Sequence, residues 1–196
     1  MKKLLFIGAL LCVLCSCGSG NSKKNAATAN VQWVDLGLSS GLKWATCNIG
    51  ASCPADYGNY YTFYDAVAIA NWGDNCRLPT YREFRELIDD CLWTWTIQDD
   101  HTGYQVTGPN GNSIFLPAAG GYDGANHVEV GLYGYYWSTT QADESCAMSL
   151  QFIEGHLSYI AEPNGYRVDS LSYSPTVGVL GLRRHYGVSV RPVLAD

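Results

Sequence analysis

The sequence predicts an α+β protein with two helices and a mostly antiparallel, twisted sheet. Two segments with helical spacing, residues 60–71 and 80–91, lie in the first half of the chain. Beyond them, runs rich in β-branched and aromatic residues alternate with Gly, Pro and Asn turns. Helices that are separated from strands along the chain are typical of α+β folds, in which hairpins build antiparallel sheets with long loops.

The N-terminus has the pattern of a bacterial lipoprotein signal. Two lysines precede an apolar run at 4–14, which is too short to span a membrane as a helix. Leu-Cys-Ser-Cys at 14–17 has the form of a lipobox. We therefore expect cleavage after residue 16 and acylation of Cys17, with an ordinary secretory signal as the alternative.

Three regions follow from this pattern. They are a signal peptide at 1–16, a flexible tether of small and polar residues at 17–30, and one domain at 31–196. Removal of Lys2 and Lys3 changes the formal charge from −6 to −8. Such an acidic domain is not expected to bind nucleic acid. We expect an outer-membrane lipoprotein, held by its lipid anchor at the cell surface or on the periplasmic face.

The early part of the domain is expected to hold one hairpin and both helices. Residues 31–46 read as a strand, a Ser-Ser-Gly turn and a second strand. The first helix, at 60–71, is expected to end near Gly73. The second helix begins with a capping box of Thr80 and Glu83. Its buried face is expected to consist of Phe84, Leu87, Ile88 and Cys91.

Strands are expected to dominate the rest of the domain. In residues 104–116, apolar and polar residues alternate on both sides of Pro-Asn-Gly-Asn, which predicts a hairpin. Further strands are expected near 135–139, 145–153 and 156–160, and a short final strand at 188–193.

The cysteines of the domain are expected to form disulfides outside the cytosol. Five of them lie after the signal and lipobox, so one must stay unpaired. No Cys-x-x-Cys pair and no paired histidine spacing is present, so a zinc site is not expected.

Several segments together resemble a known family. They are WATCNIGAS (44–52), RLPTYREFRELI (77–88), CLWTWT (91–96), GPNGNSIFLPAAGGYDG (108–124), GYYWSTT (134–140) and YGVSVRPV (186–193). In these segments the chain is similar to the Fibrobacter succinogenes major paralogous domain, which is abundant in lipoproteins of Bacteroidota. That family resembles the C-type lectin fold, in the branch related to formylglycine-generating enzymes.

The resemblance implies a single C-type-lectin-like domain whose first and last strands pair. It also implies a disulfide between Cys47 and Cys91, a second between Cys53 and Cys76, and a free thiol at Cys146. The residues that it implies as framework are Trp44, Leu78, Pro117 and Trp137.

No arrangement of residues predicts catalysis. The oxidase branch of the related fold has a reactive cysteine pair near its C-terminus, whereas no cysteine follows Cys146 here. No nucleophile elbow is present, and the paired acids at 89–90 and 99–100 lack a catalytic spacing. Glu-Pro-Asn at 162–164 matches a calcium and sugar motif of some C-type lectins, but the Trp-Asn-Asp element that should follow is absent. We expect no enzyme, no cofactor and no metal.

The C-terminal part has the composition of a binding surface. Seven tyrosines fall between Tyr133 and Gly187, among Ser, Gly and Asn, which is the mixture found in antibody paratopes. The alternative for individual tyrosines is a place in the core. The residues predicted to bind a surface protein or glycan are Tyr159, Tyr166, Asp169, Ser170, Ser172, Tyr173, Arg183, Arg184, His185 and Tyr186.

One further pattern concerns the origin of this segment. Residues 163–196 contain no Lys, Glu, Gln, Met or Trp, five types that make up 24 of the 196 residues. Codons of the form NNC, which arise when the adenines of AAC are randomised, cannot encode these five types. Diversity-generating retroelements vary proteins of the C-type lectin fold in this way. Residues 168–185 are therefore expected to be varied, with an ordinary Tyr- and Ser-rich loop as the alternative.

The sequence thus predicts a membrane-anchored lipoprotein that binds an extracellular protein or glycan without catalysis. Its C-terminal loops, diversified by a retroelement, would form the binding site. The alternative is a structural or assembly module of a cell-surface complex, which would use its sheet edges.

Overall fold

The structure, a computed structural model, describes residues 32–69, 76–154, 159–162, 165–168 and 176–194. It confirms the α+β class, because these residues form two helices and fourteen strands, and all pairings between the strands are antiparallel. The elements in chain order are β1 (Trp33–Asp35), β2 (Lys43–Ala45), α1 (Phe63–Ile69), β3 (Cys76–Arg77), α2 (Tyr81–Asp90), β4 (Leu92–Gln98), β5 (His101–Thr107), β6 (Ser113–Pro117), β7 (Gly121–Asp123), β8 (Asn126–Val128), β9 (Tyr133–Gln141), β10 (Cys146–Ile153), β11 (Tyr159–Glu162), β12 (Gly165–Val168), β13 (Thr176–Arg183) and β14 (Val193–Leu194).

The first sheet brings the two ends of the described domain together. Its strand order is β1-β2-β14-β3, which confirms the hairpin predicted at 31–46. The last strand, β14, pairs with β2 and β3 and not with the first strand as expected. It is also shorter than predicted, because Val188 and Ser189 form single bridges to Tyr61 and Tyr136 instead of extending it.

Two three-stranded sheets, β4-β5-β6 and β13-β10-β9, form most of the remaining structure. The predicted hairpin at 104–116 is confirmed as β5 and β6. Strand β4 has no counterpart among the predicted strands. Its turn to β5 consists of Asp99 and Asp100, with φ of 47° and 64°, whereas the usual sequence signal for such a turn is Asn-Gly.

Two hydrophobic clusters form the core. The larger one includes Trp44, Phe84, Tyr104 and Phe152, and the smaller one surrounds Trp137. Full burial of a side chain such as Phe84 stabilises the fold by about 1.5–3 kcal/mol. The four residues that the resemblance implies as framework are all buried, namely Trp44, Leu78, Pro117 and Trp137.

The first helix begins later than the sequence predicts. The backbone groups of Tyr61 are bonded to Val188, with N···O distances of 2.9 and 3.0 Å, so the chain is extended there. Thr62 Oγ1 then accepts the backbone N–H of Asp65 at 3.3 Å and starts the helix. The expected end near Gly73 lies outside the described residues. Within the described part of the chain, no helix is long and apolar enough to cross a membrane.

The predicted capping box at the start of α2 is confirmed. Glu83 N donates to Thr80 Oγ1 at 3.3 Å, and Thr80 N donates to Glu83 Oε2 at 2.7 Å. Arg77 adds a bidentate pair, with Nη–Oε distances of 2.7 and 2.8 Å. Partial burial opposes ionisation of Glu83, but the hydrogen bonds from Arg77 and Thr80 outweigh it and lower the pKa of the carboxyl.

Replacing Glu83 with Gln is expected to lower the free energy of unfolding by about 1–3 kcal/mol at pH 7. Because the folded pKa of Glu83 is lowered, its contribution is present above the unfolded pKa and is lost as the pH falls through the folded pKa. Urea unfolding at pH 7 and at pH 3 measures this, and the two proteins should converge at the lower pH. Asp89→Asn, in the exposed pair with Arg85, is the control and should change little. A difference that is equal at both pH values would contradict the assignment.

The expected disulfides are not present in the structure. All five described cysteines, Cys47, Cys53, Cys76, Cys91 and Cys146, are free thiols. Cys91 ends α2 and packs against the larger core cluster, whereas Cys47 Sγ lies 3.6 Å from Thr46 Oγ1. Cys76 lies in β3 opposite Leu194. Burial, with a smaller effect of neighbouring carboxylates, raises the pKa of Cys91 to about 11, which makes it an unreactive thiol.

Candidate functional site

The turn that follows β13 is held against β7. Tyr122 and Gly187 exchange two backbone hydrogen bonds, of 2.8 and 2.9 Å. Gly187 permits this close approach, because a Cβ atom there would lie 3.3 Å from the Cβ of Tyr122. As in a pair of antiparallel strands, Tyr186 and Asp123 then face each other.

Two side chains of this turn contact the carboxylate of Asp123. The hydroxyl of Tyr186 donates to Oδ2 at 3.2 Å, and Nε2 of His185 lies 3.6 Å from Oδ1. Partial burial and the hydrogen bond to Asp123 raise the pKa of Tyr186, so its phenol remains a donor at neutral pH. The side chain of Asp123 is 52% exposed, which leaves lone pairs of its carboxylate open to a ligand.

A second pair of a tyrosine and a carboxylate lies beside the first. Tyr135 of β9 donates its hydroxyl to Oε2 of Glu129, and burial followed by this hydrogen bond raises the pKa of Tyr135. The ring of Tyr133 stacks on that of Tyr135, with centroids 5.7 Å apart and planes inclined by 2°. Electrostatic interactions link Tyr186 with both Tyr135 and Glu129, which places the two pairs close together.

The two tyrosine–carboxylate pairs, Tyr186 with Asp123 and Tyr135 with Glu129, lie on the same face of β7. The position of Gly121 shows this. A Cβ atom at Gly121 would lie 3.8 Å from the ring of Tyr135. Alternate residues of a strand point to the same side, so Asp123 shares the face of Gly121. The carboxylates of Asp123 and Glu129 therefore belong to one surface.

We term this region the tyrosine–carboxylate surface. The turn between Glu129 and Tyr133 adds Val130 and Leu132, which are 39% and 57% exposed. Among the described residues, no Lys or Arg forms an ion pair with Asp123 or Glu129. The residues of the surface are Asp123, Glu129, Val130, Leu132, Tyr133, Tyr135, His185 and Tyr186.

The backbone beneath Glu129 fixes the direction of its carboxylate. Glu129 has a left-handed conformation, with φ of 60°, and its carbonyl accepts the N–H groups of Leu132 and Tyr133 at 3.1 and 3.0 Å. Gly120 packs against this turn, since a Cβ atom there would lie 2.2 Å from Val128 O and 2.9 Å from the carbonyl carbon of Glu129.

The opposite face of β7 carries a packed aromatic group. The rings of Tyr122 and His127 stack with centroids 4.4 Å apart, and Tyr60 stands edge-on to both at 5.0 Å. Tyr60 donates its hydroxyl to Ala119 O at 2.7 Å, and burial raises its pKa. These rings pack against one another and stabilise the hairpin β7–β8, so we do not include them in the candidate site.

Of the ten predicted binding residues, the structure brings two into the tyrosine–carboxylate surface, His185 and Tyr186. Arg183 is exposed at the end of β13. Tyr159 and Tyr166 lie in the hairpin β11–β12, where the structure describes the path of the backbone. The predicted residues that lie outside the described part of the chain are the lipidation site Cys17 and the binding residues Asp169, Ser170, Ser172 and Tyr173.

Arg184 has a structural role and does not lie on this surface. Its Nε donates to Cys146 O at 3.3 Å, its Nη1 to the hydroxyl of Tyr64 at 3.2 Å, and its Nη2 to Gln141 Oε1 at 3.2 Å and to Asp143 O. The guanidinium thus ties α1 to the turn between β9 and β10. A residue with these four contacts has few donors left for a ligand.

Sequence reasoning missed the other side chains of this surface, among them Asp123, Glu129, Tyr133 and Tyr135. Asp123 and Tyr135 lie in the segments 108–124 and 134–140 that carry the family resemblance, and Glu129 and Tyr133 lie between these segments. A usable signal was the Gly-Ala turn at 124–125, because a hairpin centred there places Tyr122 opposite His127 and puts Asp123 on the other face.

Other potential sites on the described residues are weaker. No group of three or more His, Cys, Asp or Glu among them is arranged to hold a metal ion. An open cavity of about 370 Å³ beside α2 is lined by Ser39, Ser40, Arg82, Glu83 and Glu86. Glu86 already accepts hydrogen bonds from Ser39 Oγ and Ser40 N, at 2.7 and 2.8 Å, and Glu83 caps the helix. The acids of this cavity therefore serve the fold.

Comparisons with protein-family models, with curated proteins and with solved structures find no match to this chain. The geometry of the tyrosine–carboxylate surface is therefore the basis for a functional conclusion.

Proposed function

We propose that this protein is an acylated lipoprotein with a C-type-lectin-like domain that binds an extracellular ligand without catalysis. The observation that supports binding is the tyrosine–carboxylate surface. It combines phenol donors, two carboxylate acceptors and exposed apolar side chains on turns that strands hold in place.

Several physical properties favour recognition at this surface. Tyrosine provides a large contact area, and fixing its ring costs little conformational entropy, which is why it is common in binding surfaces. Here Tyr135 and Tyr186 are already oriented by hydrogen bonds to Glu129 and Asp123. Binding to such a pre-ordered surface requires little rearrangement.

In the tyrosine–carboxylate surface, the side chains that could act as nucleophiles are the phenols of Tyr135 and Tyr186, which are hydrogen-bonded to Glu129 and Asp123. The carboxylates accept phenols whose pKa values are raised, so these phenols are not poised to ionise at neutral pH. Non-catalytic binding fits this chemistry better than hydrolysis or group transfer.

Membrane attachment is the second part of the proposal. It is supported by the lipobox at 14–17, with Cys17 as the acylated residue and the outer membrane as the partner of the lipid. The tether at 17–30 would hold the domain away from the bilayer. The retroelement hypothesis for 168–185 belongs to the same proposal, and it would make the ligand differ between variants.

A structural or assembly role is the second candidate, and one observation favours it. Strand β4 lies at the edge of its sheet, and its Leu92 and Ile97 are each 68% exposed. An uncharged strand at a sheet edge can pair with a strand of another chain.

Replacing Tyr133 or His185 with Ala is expected to weaken ligand binding and to leave the melting curve unchanged. Full-length protein in detergent would be applied to a phage-displayed library of short random peptides and to an array of neutral and acidic glycans. Any binder of the wild type should lose at least about tenfold in affinity on either variant, as expected for residues in the centre of a binding surface. Leu92→Ala is the control on the β4 edge and should bind normally. Loss of binding by the Leu92→Ala variant, together with normal binding by Tyr133→Ala, would favour the assembly role.

A further inference from the structure

We infer that the partner at the tyrosine–carboxylate surface is a basic segment of another protein, with Lys or Arg next to apolar side chains. This inference rests on the proposed function and adds the class of partner. It is carried by the charges and the exposed apolar side chains that meet at this surface.

The charges of the surface are unbalanced. Its carboxylates, Asp123 and Glu129, each accept one phenol, and the basic groups near them are His185 and the exposed Arg183. His185 balances Asp123 only when it is protonated, and no cation forms an ion pair with Glu129 among the described residues. A bound cationic side chain would supply the missing charge.

Desolvation decides between a charged and an uncharged partner. An uncharged ligand that covers Asp123 and Glu129 removes two carboxylates from water without giving either an opposite charge, and this is unfavourable. A Lys or Arg side chain offsets the loss, and a guanidinium can in addition form two parallel hydrogen bonds with one carboxylate. A neutral glycan supplies hydroxyl donors but no charge, so we favour the basic segment.

The tyrosines and the exposed apolar residues of the turn after Glu129 also fit a basic segment as the partner. The rings of Tyr133 and Tyr135 are half-buried and offer π-electrons to a cation, which adds attraction beyond the ion pair. Val130 and Leu132 remain exposed beside them and would be covered by apolar side chains of the partner. Both kinds of contact occur together in a protein segment that mixes basic and apolar residues.

Long-range electrostatics acts in the same direction. After removal of the signal the chain would carry a formal charge of −8, which attracts basic partners and repels acidic ones. Because such steering is screened by ions, binding should weaken as the salt concentration rises.

The test uses full-length protein in detergent and the phage-displayed library of short random peptides. Peptides enriched on the wild type should contain an excess of Lys and Arg next to apolar residues. Glu129→Gln and Asp123→Asn should each weaken the strongest peptide by about tenfold. Both variants keep an acceptor for the neighbouring phenol. Glu144→Gln removes the same charge from an exposed position outside the surface and is the matched control.

The outcomes separate this inference from the proposed function. Enriched peptides without an excess of Lys and Arg, or normal binding by both Glu129→Gln and Asp123→Asn, would overturn the inference of a basic partner. If peptides or glycans of another kind still depend on Tyr133, the proposed binding function stands and the partner class is wrong. If no binder depends on Tyr133, both are wrong.

Discussion

Replacing Arg191 with Met is expected to lower the free energy of unfolding by about 3–5 kcal/mol. This is the range for removing one partner from a buried network of charged and polar groups. The side chain of Arg191 is fully buried. Its guanidinium donates to Asn48 Oδ1 at 2.9 Å, to Ala45 O and Thr46 O at 3.0 Å, and to Phe115 O at 2.9 Å. Met fills a similar volume but has no hydrogen-bond donor, so these four acceptors would remain buried without a hydrogen bond.

Burial lowers the pKa of Arg191, and no carboxylate is among its hydrogen-bond partners. The four acceptors that replace water around the guanidinium come from the end of β2, the loop after it, and β6. Arg191 therefore holds two separate parts of the chain, residues 45–48 and β6, against the segment that leads to β14. Arg191→Lys keeps the charge but cannot reach all four acceptors, so we expect an intermediate loss.

Urea unfolding of the full-length protein measures this effect. The matched control is Arg85→Met, the same substitution at an arginine that is 42% exposed and pairs with Asp89 on α2. This control should lose no more than about 0.5 kcal/mol. If Arg191→Met unfolds at nearly the same urea concentration as wild type, the carbonyl groups must find water, and the structural role assigned to Arg191 is wrong.

The parts of the fold that the sequence predicts best are those with a local physical cause. The capping box of Thr80 and Glu83, and the hairpin around Pro-Asn-Gly-Asn, follow from residues within a few positions of each other. Strand β4 was missed because Asp99 and Asp100 adopt left-handed conformations without the glycine that usually signals them. The pairing of β14 with β2 and β3 is set by long-range packing, which a local pattern does not contain.

The candidate site was predicted only in part because three distant segments build it. His185 and Tyr186 were found from the composition of the C-terminal part. Asp123 and Glu129 come from β7 and the turn after β8, and their role depends on the pairing of Tyr122 with Gly187. Arg184 illustrates the opposite error. Its residue type favours binding, but its position directly after β13 places it next to the backbone carbonyls of Asp143 and Cys146.

The turn that carries Glu129 depends on a glycine, and Gly120→Ala is therefore expected to destabilise the protein by about 2–5 kcal/mol. Gly120 has φ of 62°, which costs about 1–2 kcal/mol for a residue with a Cβ atom. The new Cβ would also lie 2.2 Å from Val128 O and 2.8 Å from Val130 N. These are backbone atoms, so the turn itself must move, and overpacking of this kind adds about 1–3 kcal/mol.

Gly124→Ala measures the first of these two contributions alone, the conformational cost. Gly124 has nearly the same backbone conformation, with φ of 60°, but no atom lies within 4 Å of a Cβ there. It should show only the conformational cost of about 1–2 kcal/mol. The difference between the two variants in urea unfolding then measures the contact with residues 128–130. Because that contact positions Glu129, Gly120→Ala should also weaken the binding of basic peptides, whereas Gly124→Ala should not. Equal losses of stability for the two variants would mean that the turn can shift freely, and that the direction of the Glu129 carboxylate is not fixed by the fold.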